Sequence, residues 1–299
     1  MARSHVVAQL DLAPTSSAPT SSAPPHLGLP SRSVELSYAR RGSGSPLLLI
    51  HGIGHRWQAW EPVLDRLAEQ HDVIAIDLPG FGKSAPLKLA LGERHTVGLL
   101  MEWIAETFPE FGIERPHVAG NSLGGALALE LARHGLAASA TALSPAGFWR
   151  TRWEPTWAIT NLTVTRAAAF APKPALRYVA NHGTARAVCF GMIFGRPRDL
   201  DPTAAFEDTL ALREGKSFRP VAKEAGRYRY AGESDVPTTV AWGTKDRILL
   251  RRQFAQAKRV LPKARFEDLP GCGHVPMSDD PGRVSRLILE TTGAVPTNR

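Results

Sequence analysis

Hydrophobic and polar residues alternate in a regular way from about residue 31 onward, and the pattern divides the chain into strands and helices. Val34–Tyr38 alternates apolar and polar residues, which is typical of a half-exposed strand, whereas Pro46–Ile50 is continuously apolar, as in a strand buried on both faces. Further strands are predicted over 73–76, 116–119, 138–143, 238–242 and 264–266, and helices over 58–69, 97–108, 126–133, 251–259 and 282–290. Because strands alternate with helices, we predict an α/β fold with a mostly parallel central sheet flanked by helices.

The alternation stops between Phe148 and Asp235, where the sequence is helical and loop-rich. This stretch is rich in aromatic residues: Trp149, Trp153, Trp157, Phe170, Tyr178, Phe190 and Phe194. We interpret it as a helical insertion whose rings mostly form a hydrophobic core of their own. The predicted organisation is therefore a core domain in two parts, 31–147 and 236–299, interrupted by an insertion over 148–235.

The first thirty residues have a different composition from the rest of the chain. Ala13–Pro25 repeats small, polar and proline residues that cannot bury a core, so we predict a disordered tail over residues 1–30. The only apolar piece, Val6–Leu10, contains Gln9 and is too short for the hydrophobic region of a secretory signal. The two cysteines exclude a disulfide framework and fit a reducing compartment, so the cytoplasm is the expected location.

The charge of the chain is its one unusual bulk property. Thirty-six Lys and Arg against 28 Asp and Glu give a net charge of +8, which by itself suggests an anionic partner. Residues 148–235 hold eleven Arg and three Lys against nine Asp and Glu, a net charge of +5. No basic helix face or aromatic stacking platform accompanies this excess, so we do not expect nucleic-acid binding. No apolar run approaches the ~18 residues of a membrane span.

The segment Gly120–Gly125 carries the first candidate for chemistry. Its G-x-S-x-G pattern centres on Ser122 and lies between a predicted strand and a predicted helix. A serine at the tip of such a sharp turn has a strained backbone, and side chains two residues to either side would collide with neighbouring chain. The pattern predicts a nucleophile at the carboxyl edge of the sheet, beside free N–H groups of the following helix.

A serine hydroxyl needs a base and an orienting acid, and both candidates lie further along the chain. His274 lies in a glycine-containing loop between a strand and the final helix, and Asp246 follows directly after another strand. Other acids compete for the second role: Asp199, Asp201, Asp235, Asp279 and Asp280. Asp246 is preferred because parallel α/β sheets place functional residues just past the ends of their strands.

These motifs together resemble those of the α/β-hydrolase superfamily. The resemblance covers residues 31–147 and 236–299 and rests on HGIG at 51–54, DLPGFGKS at 77–84, GNSLGG at 120–125, WGTKD at 242–246 and GCGH at 271–274. It implies an α/β-hydrolase fold with a cap over the active site and a triad of Ser122, Asp246 and His274. It also implies an oxyanion hole formed by the backbone N–H groups of Ile53 and Leu123. No metal and no cofactor are expected.

The resemblance also narrows the reaction. Haloalkane dehalogenases and epoxide hydrolases of this fold use an aspartate at the position of Ser122. Enzymes that cleave carbon–carbon bonds of ring-fission products keep the serine but usually carry tryptophan where Val275 stands here. We expect a carboxylesterase-like serine hydrolase, with the carbon–carbon hydrolase, a hydroxynitrile lyase, a perhydrolase and a ligand receptor as alternatives.

The expected substrate is a small, largely apolar ester. Candidate residues for its pocket are Trp57, Trp60, Trp149 and Val275. A second copy of the chain, in a homodimer, is the candidate macromolecular partner.

Overall fold

The structure, a computed structural model, describes residues 5–10 and 34–293. Its first element, strand β1 (His5–Leu10), pairs antiparallel with β2 (Val34–Arg41). The prediction of a disordered tail over 1–30 is therefore wrong for His5–Leu10, because a short apolar segment can satisfy its backbone hydrogen bonds on an open sheet edge. The repeat at Ala13–Pro25 lies outside the described residues.

One eight-stranded sheet organises the described chain. The remaining strands are β3 (Ser45–Ile50), β4 (His71–Ile76), β5 (His117–Asn121), β6 (Ser139–Leu143), β7 (Thr238–Gly243) and β8 (Arg265–Leu269). The strand order is β1-β2-β4-β3-β5-β6-β7-β8, and every pair from β4 to β8 along the sheet is parallel. The chain order reverses between β3 and β5. Parallel sheets bind their ligands at such a reversal, beyond the carboxyl ends of the strands.

Helices cover both faces of the sheet, as the alternating pattern predicts. In chain order they are α1 (Glu61–Ala68), α2 (Val97–Glu106), α3 (Phe108–Phe111), α4 (Leu123–Arg133), α5 (Glu154–Ala168), α6 (Lys173–Asn181), α7 (Gly183–Phe190), α8 (Pro202–Glu214), α9 (Phe218–Arg227), α10 (Arg251–Val260), α11 (Pro276–Asp279) and α12 (Pro281–Gly293). Leu48 and Ile50 of β3 pack with α2 and α4, whereas Leu47 and Leu49 pack with α1 and α12. The apolar run at 46–50 is thus buried on both faces.

Helices α5–α9 form an insertion between β6 and β7, which we call the cap. Its own core is small, with Leu176, Ala180, Ala205 and Phe206 buried together. Most cap rings do not form that core: Trp153, Trp157, Phe170 and Tyr178 are 38–60% exposed. The prediction of a ring-filled cap core is wrong because these rings pack against cations or one another at the surface, as where Arg252 stacks on Trp153.

Within the described ranges, no helix has the length and apolarity that a membrane crossing needs.

Candidate active site

Ser122 lies at the turn between β5 and α4, with φ 58° and ψ −114°. A positive φ is costly for a residue with a side chain, by about 1–3 kcal/mol, so the surroundings must hold it. A Cβ at Gly120 would lie 2.0 Å from the Gly124 carbonyl oxygen, and one at Gly124 would lie 2.0 Å from that of Ile50. Both flanking glycines are therefore required by close backbone contact, as the sequence pattern predicts.

Asp246 and His274 form a buried pair. His274 Nδ1 lies 2.8 Å from Asp246 Oδ2, and the other carboxylate oxygen accepts the N–H groups of Ile248 and Leu249, both at 2.9 Å. Because a carboxylate can only accept here, His274 carries its proton on Nδ1, and the lone pair of Nε2 is left to act as a base. The two candidates that lie 28 positions apart in sequence are in direct contact.

Asn121, which sequence reasoning did not single out, ties the serine turn to the histidine loop (residues 271–274). Its Nδ2 donates to the carbonyl oxygen of His274 at 2.8 Å and to that of Leu143 at 3.1 Å. Among the described residues, Ser122 Oγ makes no hydrogen bond to His274. Catalytic hydrogen bonds are often long in ligand-free enzymes and tighten when substrate binds.

The backbone N–H groups of Ile53 and Leu123 are both available to a ligand. Leu123 is the first residue of α4, so its N–H has no partner within the helix. Within residues 34–293 the N–H of Ile53 also donates to no acceptor. A Cβ at Gly52 would lie 3.0 Å from Ser122 Cβ, so the loop that carries Ile53 lies directly against the serine.

His51 fixes the loop of residues 51–56, which we call the oxyanion loop. Its Nε2 accepts the N–H of Leu78 at 2.9 Å, so Nδ1 carries the proton and donates to the Gly52 carbonyl at 2.7 Å. Complete burial lowers the pKa of His51 to about 3, which keeps the ring neutral in this pattern of one donor and one acceptor. Its role is to position the loop.

Asp77 binds the backbone just after the oxyanion loop. Its Oδ1 accepts the N–H of Trp57 at 2.6 Å, and its Oδ2 accepts that of Lys83 at 2.9 Å. Burial raises the pKa of this carboxyl group, and the backbone hydrogen bonds oppose that effect. The DLPGFGKS motif thus folds back on its own aspartate and anchors the segment after the oxyanion loop.

Asp279 joins the cap to the histidine loop. Its Oδ2 accepts the N–H groups of Gly273 at 2.7 Å and Gly195 at 2.9 Å, and its Oδ1 accepts that of Arg196 at 2.8 Å. The neighbouring Asp280 serves the final helix instead, where it accepts the N–H of Arg283 at 3.0 Å.

The cap segment 193–196, which we call the strap, lies flat on the histidine loop. The Ile193 carbonyl accepts the N–H of His274 at 2.6 Å. A Cβ at Gly195 would lie 2.0 Å from the Gly271 carbonyl oxygen, and one at Gly273 would lie 2.4 Å from that of Ile193. The sequence could not reveal this contact because nothing local relates two glycines 78 positions apart.

A second link joins the cap to the oxyanion loop. Asp208 of α8 accepts from Arg56 Nε at 2.9 Å and lies 4.0 Å from His55 Nε2. His55 Nδ1 is buried without a hydrogen-bond partner among the described residues. Burial lowers the pKa of His55, an effect that Asp208 partly offsets. The oxyanion loop and the histidine loop are thus both held against the cap by carboxylates.

The four candidate pocket residues are all largely buried. Trp57, Trp60 and Val275 are 2%, 0% and 4% exposed and belong to the core between the sheet and α1 and α12. Trp149 is 9% exposed, and its Nε1 donates to the Tyr228 carbonyl at 2.9 Å. Trp60 has no accessible surface, which favours a packing role. Substrate contact by the other three stays a prediction.

No group of three or more His, Cys, Asp or Glu side chains in the described part of the chain is arranged to hold a metal ion.

Comparison with known proteins gives the family. The sequence model described as "Alpha/beta hydrolase family" matches residues 47–287. The chain is 30% identical over 205 residues to epoxide hydrolase EphH of Mycobacterium tuberculosis. This match covers 64% of this chain and 92% of the relative. It is 39% identical over 118 residues to the dihydrolipoyllysine-residue acetyltransferase component of an acetoin cleaving system from Cupriavidus necator. That match spans 38% of this chain and 30% of the relative's length.

Solved structures agree on the fold. An esterase from Thermogutta terrifontis superposes with a TM-score of 0.67 at 21% identity, over 88% of this chain and 94% of that one. At this identity the likeness concerns the fold alone. Since the family model spans most of the chain and its motifs meet at one edge of the sheet, this chain belongs to the alpha/beta hydrolase family.

Proposed function

We propose that the chain is a serine hydrolase that cleaves a carboxylic ester of a small, largely apolar molecule through an acyl-enzyme. One observation carries the proposal: the Asp246–His274 hydrogen bond of 2.8 Å is held, by Asn121, beside a serine at a strained turn between strand and helix. This combination supplies a nucleophile, a base and an orienting acid in the chain order Ser, Asp, His that is expected for this fold.

In the first half of the reaction, Ser122 Oγ attacks the ester carbonyl carbon while its proton passes to His274 Nε2. Asp246 stabilises the imidazolium that forms. Negative charge develops on the carbonyl oxygen, where the N–H groups of Ile53 and Leu123 are free to receive it. Each such donor contributes about 10²–10³ in rate. The tetrahedral intermediate collapses, and the leaving alcohol takes the proton from His274.

In the second half, water attacks the acyl-enzyme. His274 Nε2 takes the proton of the water and returns it to Ser122 Oγ as the acid leaves. Epoxide opening, the reaction in the name of one relative, is not proposed here. The hydrolases of this fold that open epoxides use a carboxylate at the turn, and this chain has the hydroxyl of Ser122 there.

The nucleophile can be tested with a fluorophosphonate probe, which labels an activated serine. We expect the wild-type protein to be labelled and Ser122→Ala to remain unlabelled. Ser144→Ala is a matched control because Ser144 is also buried, has φ 43° and directly follows the neighbouring strand β6. Labelling that persists in Ser122→Ala would rule the mechanism out.

The type of substrate bond that the protein cleaves can be identified with a panel of nitrophenyl esters of graded acyl length. A ring-fission diketone and a styrene-type epoxide are assayed beside them. Turnover of the esters that disappears in Ser122→Ala supports the proposal. Turnover of the diketone with no activity on any ester would replace it with carbon–carbon bond hydrolysis.

A further inference from the structure

A groove with a volume of about 560 Å³ lies on the cap between α5 and α9. Five cationic side chains line it: Arg152, Arg219, Lys223, Arg227 and Arg229. No aspartate or glutamate is among its lining residues. Its size is within the range of ordinary small-molecule sites, about 300–1,000 Å³. Three of these cations, Arg219, Lys223 and Arg227, lie on one face of α9, so the expectation that no basic helix face accompanies the positive charge is wrong. The groove therefore concentrates positive charge in a space large enough for a ligand.

Most of this charge is not neutralised by the protein. Arg227 pairs with Glu224 at 2.7 Å, and Arg229 donates to the carbonyl oxygens of Gly226 and Tyr228. Within residues 34–293, Arg152, Arg219 and Lys223 make no ion pair and no side-chain hydrogen bond. Arg219 and Lys223 lie one helical turn apart on α9, so their like charges repel one another and an anion between them would be bound favourably.

The floor of the groove is apolar. Pro155 and Ile159 of α5 face Phe218 and Ala222 of α9 across it. The two helices approach closely at Gly226, where a Cβ would lie 2.4 Å from Ile159 Cδ1. The apolar floor suits a hydrocarbon group, whereas the cationic side chains suit a charged one.

The groove is separate from the candidate active site but shares one side chain with its surroundings. Phe218, in the floor, lies with its ring 3.5 Å from where a Cβ at Gly54 of the oxyanion loop would stand. None of Ser122, Asp246 and His274 lines the groove. A ligand held there would rest on a ring that packs against the catalytic loop.

We propose that this groove is a second binding site, for an amphipathic anion with a phosphate or carboxylate headgroup on a short apolar tail. The headgroup binds Arg219 and Lys223, and the tail lies on the floor between the helices. The site does not depend on the chemistry proposed for Ser122. A soluble ligand and the headgroup of a bilayer lipid share this chemistry, and the experiment must tell them apart.

The test is calorimetric titration of the full chain with octyl phosphate below its micellar concentration. Because both side chains are exposed, each contact with the anion is worth up to about fivefold in affinity, so we expect Arg219→Gln/Lys223→Gln to bind about 10–25-fold more weakly. Octanol and inorganic phosphate, which each lack one half of the ligand, should bind at least about tenfold more weakly than octyl phosphate. The control is Arg259→Gln/Arg286→Gln, which removes two cations that do not line the groove and should bind like wild type.

Equal weakening in the control and the groove variant would overturn the proposal, since the effect would then be net charge alone. Ser122→Ala should bind octyl phosphate normally. In a parallel arm, the chain is mixed with phosphatidylcholine vesicles with and without phosphatidylglycerol. Binding to the anionic vesicles without any binding of free octyl phosphate would replace the small-molecule site with a membrane contact.

Discussion

Ser122 holds a backbone conformation that its own side chain disfavours. The turn persists because its neighbours leave no alternative: Gly120 and Gly124 allow backbone contacts that any Cβ would block, and Asn121 binds the histidine loop. At the level of individual residues, the site is thus determined by very short stretches of sequence. The glycines and the serine form one local unit, which is indicated by their spacing together with their position between a predicted strand and a predicted helix.

Asp246→Asn tests the orienting role of the aspartate. An amide at this position can no longer act as a carboxylate acceptor toward His274 Nδ1, so the imidazole loses its preferred tautomer and the stabilisation of its charge. We expect kcat for a nitrophenyl ester to fall by about 10⁴, whereas Ser122→Ala or His274→Ala should cost on the order of 10⁶.

The measurement is steady-state kinetics on all three variants, with circular dichroism to verify folding. Asp235→Asn, at an acid that precedes β7 and does not contact His274, is the matched control and should retain activity. An Asp246→Asn enzyme with wild-type kcat would remove the aspartate from the mechanism.

At the level of the elements, the cap packs directly against the loop that carries His274. The strap lies on the histidine loop through contacts that only glycine permits, and Asp279 of α11 binds both segments. Asp208 of α8 holds the oxyanion loop from the other side. A cap attached in this way holds both loops that carry the candidate catalytic groups.

Asp279→Asn should therefore impair catalysis without removing any group that touches substrate. Its carboxylate accepts three backbone N–H groups, and an amide can accept fewer. Loss of a hydrogen bond to a buried charge costs about 1.5–3 kcal/mol, so we expect kcat to fall about 10–100-fold with KM changed less. Asp280→Asn is the control, since it alters the start of α12 only.

Kinetics alone would not separate positioning from general damage, so the pH profile of kcat is measured as well. A displaced His274 should shift the pH at which kcat reaches half its maximum, while Asp280→Asn should keep the wild-type profile. A full-activity Asp279→Asn enzyme would show that the strap does not support the histidine.

At the level of the molecule as a whole, buried neutral histidines connect stability to pH. Burial lowers the pKa of His51 to about 3 and that of His117 to about 4, and it also lowers the pKa values of His55, His71 and His95. The unfolded chain binds protons on these rings near pH 6.5, where the folded chain does not. The contribution of these rings to the free energy of unfolding is therefore fully present above about pH 6.5 and decreases as the pH falls.

We expect the free energy of unfolding to decrease between pH 6.5 and about 4, by at most about 1.4 kcal/mol per pH unit for His51. Burial raises the pKa of Asp77, so protonation of this carboxyl group stabilises the folded chain as the pH falls. It is one group, whereas five histidine rings have the opposite effect. Urea unfolding followed by tryptophan fluorescence at pH 7.5, 5.5 and 4.5 measures the trend. His117→Gln should make the decrease in the free energy of unfolding smaller. The control His134→Gln, at an exposed ring, should leave the decrease unchanged. A stability that is constant over this range would contradict the assignment of neutral buried rings.

Much of the fold could be predicted from the sequence because the signals are local. Continuous apolar runs indicated the strands, and the parallel order of β4 to β8 followed from their alternation with helices. Boundaries were less accurate: the helix predicted over 58–69 begins as a 3-10 turn at Trp57–Trp60, and α4 starts at Leu123, three residues before its predicted start. Such ends depend on which side chains the tertiary structure buries.

By itself, the sequence determined the chemistry that depends on neighbouring residues: the serine turn, the histidine loop, the HG segment and the order of the triad candidates. Only the tertiary structure decided that Asp279 binds the strap, that Asp208 binds the oxyanion loop, that four of the cap rings are exposed and that unpaired cations line the groove between α5 and α9. The physical reason is the separation along the sequence over which each kind of interaction acts. Backbone conformation follows from a few adjacent residues, whereas contacts between distant segments depend on how the whole chain packs.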